Sequence, residues 1–120
     1  MASENGILNS WREACVVVHF EGDLLVECVL DTGFSGELVL PRDVVDELQL
    51  TIFGQVPFEV VSGAQMSADF TEVKIRWLDE ERIVDVIVSE SDDALIGTAL
   101  LDGTRLTIGY IANTVSASND

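Results

Sequence analysis

The fold turns on Val29-Leu30-Asp31-Thr32-Gly33-Phe34-Ser35-Gly36. An apolar, β-branched run ends at an acid, and two glycines with short polar side chains then force a sharp change of backbone direction. Upstream, Val16-Val17-Val18-His19-Phe20 stops at Glu21-Gly22-Asp23, and Leu24-Leu25-Val26-Glu27-Cys28-Val29-Leu30 follows at once. That is the layout of a β-hairpin whose second strand delivers Asp31 into its turn. Downstream, Glu37-Leu38-Val39-Leu40 resumes a strand. Pro41 then introduces Arg42-Asp43-Val44-Val45-Asp46-Glu47-Leu48, whose apolar positions 44, 45 and 48 recur at helical spacing, and a proline in the first turn suits a short helix start.

Further outward, Val56 to Trp77 reads as strands interrupted at Ser62-Gly63-Ala64-Gln65, the predicted tip of a hairpin. Ile83 to Val88 alternates imperfectly as another strand, and Ser89-Glu90-Ser91-Asp92-Asp93 is a polar loop. Leu95 to Leu101 is a short apolar turn or helix, and Leu106-Thr107-Ile108-Gly109-Tyr110 is the expected last strand. The residues beyond Ala112 are small and polar, which predicts a fraying tail. The expected organisation is an N-terminal extension (1–12), one domain (13–111) and a flexible C-terminal tail (112–120). Many short strands with one or two brief helices predict a mostly-β fold.

The chain has 120 residues, 48% apolar and 23% charged, the make-up of one domain with one core. Its 22 acidic residues against 6 basic ones give a formal charge of -16, and Lys74 is the single lysine. A field of that sign repels phosphate backbones and anionic lipid, so neither nucleic acid nor a membrane surface is an expected partner. No run approaches the roughly 18 apolar residues of a membrane span, and Met1-Ala2-Ser3-Glu4-Asn5-Gly6 lacks the basic-then-apolar layout of an export signal. The expected compartment is the cytosol. Cys15 and Cys28 face each other across the hairpin if Glu21-Gly22-Asp23 is a tight turn; awkward cross-strand geometry and a reducing compartment favour buried free thiols over a bridge. With His19 as the sole histidine, a structural metal site lacks ligands, and no cofactor is expected.

Only a few per cent of chains this long would contain Asp-Thr-Gly by chance, to order of magnitude. Here the tripeptide ends an apolar strand, a glycine-containing hairpin follows, and Ala94-Leu95-Ile96-Gly97-Thr98-Ala99-Leu100-Leu101 comes some sixty residues later. Together these features resemble the retropepsin-like aspartic proteases, single-lobe relatives of pepsin that include retroviral proteases and bacterial homologues. The resemblance runs from the Val16 hairpin to Tyr110. It implies a closed, bent, barrel-like lobe with Asp31 on a loop, Ser62 to Gln65 tipping a flap, and Leu95-Ile96-Gly97 beneath the Asp31 loop. Only one such motif is present, since Asp102-Gly103 lacks it, so the second aspartate of the family's pair must come from another copy. The resemblance therefore implies a homodimeric endopeptidase acting on a peptide or protein. Asp31, Thr32 and Gly33 would form its catalytic loop, and Phe34, Ser35, Ser62, Gly63, Ala64 and Leu95 would line the substrate cleft. Thr32, Leu106, Ile108 and Tyr110 would meet the partner.

The chemistry accounts for the pairing. Water attacks a peptide carbonyl when one group takes its proton and another protonates the carbonyl oxygen, so an ionised and a protonated carboxyl are needed together. Two carboxyls in contact cannot both ionise cheaply and share one proton, and a two-fold axis supplies the pair from one Asp31 per chain. The glycine at 33 would let a backbone N–H approach the carboxylate, and the resemblance implies that Thr32 hydrogen-bonds the partner loop.

Phe34 departs from the family's small residue at this position and adds bulk beside the pair. Ser35 and Thr98 stand where many viral members carry an acid and an arginine, so that ion pair is absent as a unit. The alternative function is a protease-like dimeric scaffold that binds peptide or protein and cleaves nothing. Trp11, Trp77 and Phe70 are expected to pack in the core, Asp93 to be an exposed loop carboxylate, and His19 to be solvated or satisfied.

Overall fold

Alternation with a period of two sets the inner and outer faces of β2 (Ala14–Phe20): Val16, Val18 and Phe20 are buried while Val17 and His19 face out. This is seen in a computed structural model, which describes residues 1–59 and 62–120. β2 turns through Glu21–Asp23 into β3 (Leu24–Leu30), with Phe20 opposite Leu24 and Cys15 opposite Val29. Gly22 and Asp23 both adopt positive φ, as a tight hairpin turn requires.

After the Asp31 turn come β4 (Leu38–Pro41) and the short helix α1 (Arg42–Glu47). β5 (Gly54–Glu59) and the long β6 (Gln65–Trp77) form a hairpin, and β6 continues into β7 (Glu80–Ser89). β8 (Leu95–Ile96) leads into α2 (Thr98–Leu101), followed by β9 (Arg105–Gly109). One sheet runs in the order β5-β6-β7-β4-β8-β3-β2 and continues through the terminal strands to β9, and a second contact between β2 and β6 closes its first part on itself. β8 lies between β3, to which it runs parallel, and β4, to which it runs antiparallel. Trp77, Leu38, Leu40, Ile75, Ile96 and Leu100 fill the interior. No helix among the described residues is long and apolar enough to cross a membrane.

The termini correct the sequence expectation. Within the supposed extension, β1 (Ser3–Leu8) pairs with β2, and within the supposed tail β10 (Thr114–Ser118) pairs with both β1 and β9. Val115 and Ala117 are buried against the core, so the segment does not fray. Gly6 makes the crossing possible: a Cβ there would stand 1.8 Å from the Cys15 carbonyl oxygen.

The two cysteines are free and buried, but they do not face each other. The register sets Cys15 against Val29 and Cys28 against Val16, which puts the two thiols on opposite faces of the ladder. Burial pushes the Cys28 thiol up to about 12, and burial with the nearby Glu27 raises Cys15 as well. An unfolded chain loses the Cys28 proton above its ordinary value of 9.0, whereas the folded chain keeps it until about 12. The thiol therefore favours the folded state below pH 9 and withdraws that support as pH rises. Linkage sets the loss at about 1 kcal/mol by pH 10. Urea melts between pH 8 and 10 should show this decline, and Cys28→Ala should flatten it; an equal slope in the variant would contradict the assignment.

Candidate active site

Two parallel strands carry the Asp31 turn. Val29 pairs with Leu95 and Leu30 with Ile96; the Val29 N–H donates to Ala94 O at 2.9 Å and the Asp31 N–H to Ile96 O at 2.8 Å. The chain then reverses, with the Phe34 N–H donating to Asp31 O at 3.1 Å and the Gly33 N–H donating to the Asp31 carboxylate, Oδ1, at 2.9 Å. The acid is thus oriented by its own turn.

The far side of the turn is bonded to the start of α2. The Gly97 N–H donates to Glu37 O (2.9 Å), Thr98 N–H to Phe34 O (2.8 Å) and Ala99 N–H to Gly36 O (3.1 Å). The Thr98 hydroxyl also donates to Phe34 O at 3.3 Å, so the position where an arginine was noted as missing holds the loop by a neutral bond. Phe34 is half-buried, and its ring folds back over Gly36 and Gly97, where added Cβ atoms would each meet it at 2.5 Å. Gly97 is required by this approach rather than by an unusual φ.

Asp31 is half-buried, while Thr32 and Gly33 are exposed. Asp31 opens onto a cavity of about 430 Å³ that it shares with Thr32, Leu95, Leu106, Ile108 and Tyr110. Sequence reasoning had split these residues between catalysis, substrate and interface; the fold brings them to one open face.

The further residues that border this face include Arg12 and Glu13, which sequence reasoning missed. They sit in a turn organised by Asn9, whose Oδ1 accepts from the N–H groups of Trp11 (2.9 Å) and Glu13 (3.0 Å) and whose Nδ2 donates to the Glu13 carboxylate (3.0 Å). The same turn lifts Trp11 to 80% exposure, which corrects its reading as a core residue, whereas Trp77 is buried and Phe70 is half-buried against Phe53. The sequence signal was a tryptophan inside Asn9-Ser10-Trp11-Arg12-Glu13, a stretch too polar to enter a core. Tyr110 (65%) and Ile111 (fully) are likewise exposed.

The predicted flap exists as the β5–β6 hairpin, paired from Gly54 opposite Phe70 to Glu59 opposite Gln65. Ser62, Gly63 and Ala64 lie exposed at its end. They line no cavity shared with Asp31 in the single chain, among the described residues. The flap arm instead presents Phe58 and Met66 to a cavity of about 580 Å³ that also includes Phe34, Val39 and Ile87. Ser35 faces another, of about 550 Å³, with Val56, Pro57 and Phe70. Asp93 is an exposed loop residue that accepts from the Ser91 hydroxyl at 2.6 Å, and His19 is exposed on β2.

Solved structures share the overall path of this backbone. A retropepsin-like aspartic protease from Rickettsia conorii superposes with a TM-score of 0.70 at 13% identity, covering 96% of this chain and 89% of its own. The fold is that of the retropepsin-like aspartic proteases. The EIAV protease, solved with the inhibitor HBY-793, aligns at TM-score 0.64 and 19% identity over 78% of this chain and 88% of its own. The simian foamy virus protease aligns at 0.56 and 11% over 72% and 90%. No protein-family model and no curated protein matches by sequence. The likeness is thus one of backbone path rather than of overall sequence.

Proposed function

We propose that this chain is one protomer of a homodimeric aspartic endopeptidase that hydrolyses peptide bonds with a water activated between two Asp31 carboxyls, one per subunit. The observation that carries this reading is the Asp31 carboxylate, oriented by the Gly33 N–H and opening onto an unfilled face with Thr32 and the β9 side chains. Among the residues bordering that face, the other carboxylate belongs to Glu13 and is engaged by Asn9. A partner's Asp31 supplies what the single chain lacks.

β9 ends the sheet, so among the described residues one of its edges is unpaired and available to a second copy. One carboxyl of the pair, ionised, takes the proton of the water; the other, protonated, gives its proton to the carbonyl oxygen, and the resulting tetrahedral adduct collapses with the proton passed to the leaving amine. Substrate lies extended beneath the flap, held as an added strand. The setting proposed for this dimer is the cytoplasm.

The test is a digest of a mixed peptide library by the purified chain from acid to neutral pH: new termini are expected. Binding without cleavage would favour a scaffold instead. Each copy brings a formal charge of -16, and salt screens such repulsion beyond about 8 Å at physiological ionic strength. The dimer should therefore tighten with acid or added salt; sedimentation showing tighter association at neutral pH and low salt would contradict this.

A further inference from the structure

Arg42 stands where the flap leaves the body of the molecule. Pairing of β6 with β7 begins at Phe70, opposite Ile87, so Asp69 is the first flap residue beyond the last shared pair. The Arg42 Nη2 donates to Asp69 Oδ2 at 2.8 Å and to Glu90 Oε2 at 2.5 Å, and its Nε donates to Glu90 Oε1 at 3.3 Å. Glu90 directly follows the end of β7. From the other flap strand, the Gln55 amide donates to Asp69 Oδ1 at 3.3 Å. The guanidinium thus ties α1 to the β6 arm and to the end of β7, and Asp69 carries the link on to the β5 arm through Gln55.

Helix chemistry does not explain this arginine. It is the first residue of α1, where the helix dipole disfavours a cation, and it is one of only 6 basic residues in the chain. A planar fork that bonds two carboxylates at once does explain it, and lysine lacks that geometry. The hydrogen bonds to Arg42 also hold the Asp69 and Glu90 carboxyls below their usual range, which keeps the cluster charged near neutrality.

We propose that Arg42 is a flap-positioning residue: by holding Asp69 to Glu90 at the flap hinge, it limits the swing of the β5–β6 hairpin over the Phe34 cavity and so sets how firmly a peptide is held. The hinge function stands on the geometry alone; its effect on peptide rests on the protease reading.

The experiment compares the full-length chain with Arg42→Gln, Asp69→Asn and Arg42→Lys. Hydrogen exchange at residues 54–59 and 65–69 should accelerate about tenfold in the first two while β2 and β3 stay protected, because local opening reports on the hinge and not on global stability. KM for a cleaved peptide should rise about three- to tenfold with kcat held within about twofold, and Arg42→Lys should recover part of the loss. Lys74→Gln, which removes a 4.0 Å pair with Glu81 away from the hinge, should change neither readout. Unaltered flap exchange in Arg42→Gln, or an equal rise across the whole chain, overturns the proposal. If the wild-type chain cleaves no peptide, the protease reading fails while the exchange result still decides the clamp.

Discussion

Exchanging Asp31 for asparagine in both protomers is expected to lower peptide hydrolysis by at least about 10³-fold with the fold intact, since acid–base assistance is lost from both sides of the scissile bond. Asparagine keeps an Oδ1 that can accept from the Gly33 N–H, so the turn retains its 2.9 Å bond and the side chain its volume. What disappears is ionisation: an amide neither takes a proton from water nor gives one to a carbonyl oxygen. Initial rates on a cleaved peptide, paired with a thermal melt, separate the two effects. Hydrolysis at the wild-type rate would remove Asp31 from the chemistry.

Gly97→Ala should be among the most damaging small substitutions in the molecule. The new Cβ would lie 2.1 Å from the Gly36 carbonyl oxygen, 2.5 Å from the Phe34 ring and 2.7 Å from the Phe34 carbonyl oxygen. Two of these atoms are backbone and cannot rotate away, so relief requires moving the Asp31 loop off α2, with loss of the bonds from Gly97, Thr98 and Ala99. Overpacking of this kind costs about 3 kcal/mol. Thr98→Ala, which removes one hydroxyl bond to the same loop, should cost about 1 kcal/mol. Urea titrations of the two variants check the ranking. Equal stability of Gly97→Ala and the wild type would show that the loop is not seated on α2 as described.

Much of the central lobe was legible because its strands announce themselves locally. Val16 to Leu30 alternates or runs apolar up to a turn that glycine and aspartate specify, and Pro41 marks the edge of α1. The terminal strands were not legible for an equally physical reason. Ser3-Glu4-Asn5-Gly6-Ile7-Leu8 and Thr114-Val115-Ser116-Ala117-Ser118 contain few large apolar side chains, and their stability comes from pairing with each other across nearly the whole chain. A local pattern carries no trace of that partner.

The same limit explains the site. Asp31 was found from its own neighbours, but the Arg42 cluster joins residues 27 and 48 positions apart, and only the folded chain brings them together. Phe34 was read as bulk beside the catalytic acid; in the fold its ring turns back onto Gly36 and Gly97, a contact that depends on α2 lying beneath the loop.

Subunit mixing tests the shared Asp31 pair. Wild-type chain is held constant while Asp31→Asn chain is added under conditions that let protomers exchange, and hydrolysis is measured per wild-type chain. Random pairing in an equimolar mixture leaves about half of the wild-type chains with an intact partner, so activity should fall to about one half and continue towards zero as the variant is added in excess. Activity that stays constant per wild-type chain would mean that a single Asp31 suffices, and the shared carboxyl pair would have to be abandoned.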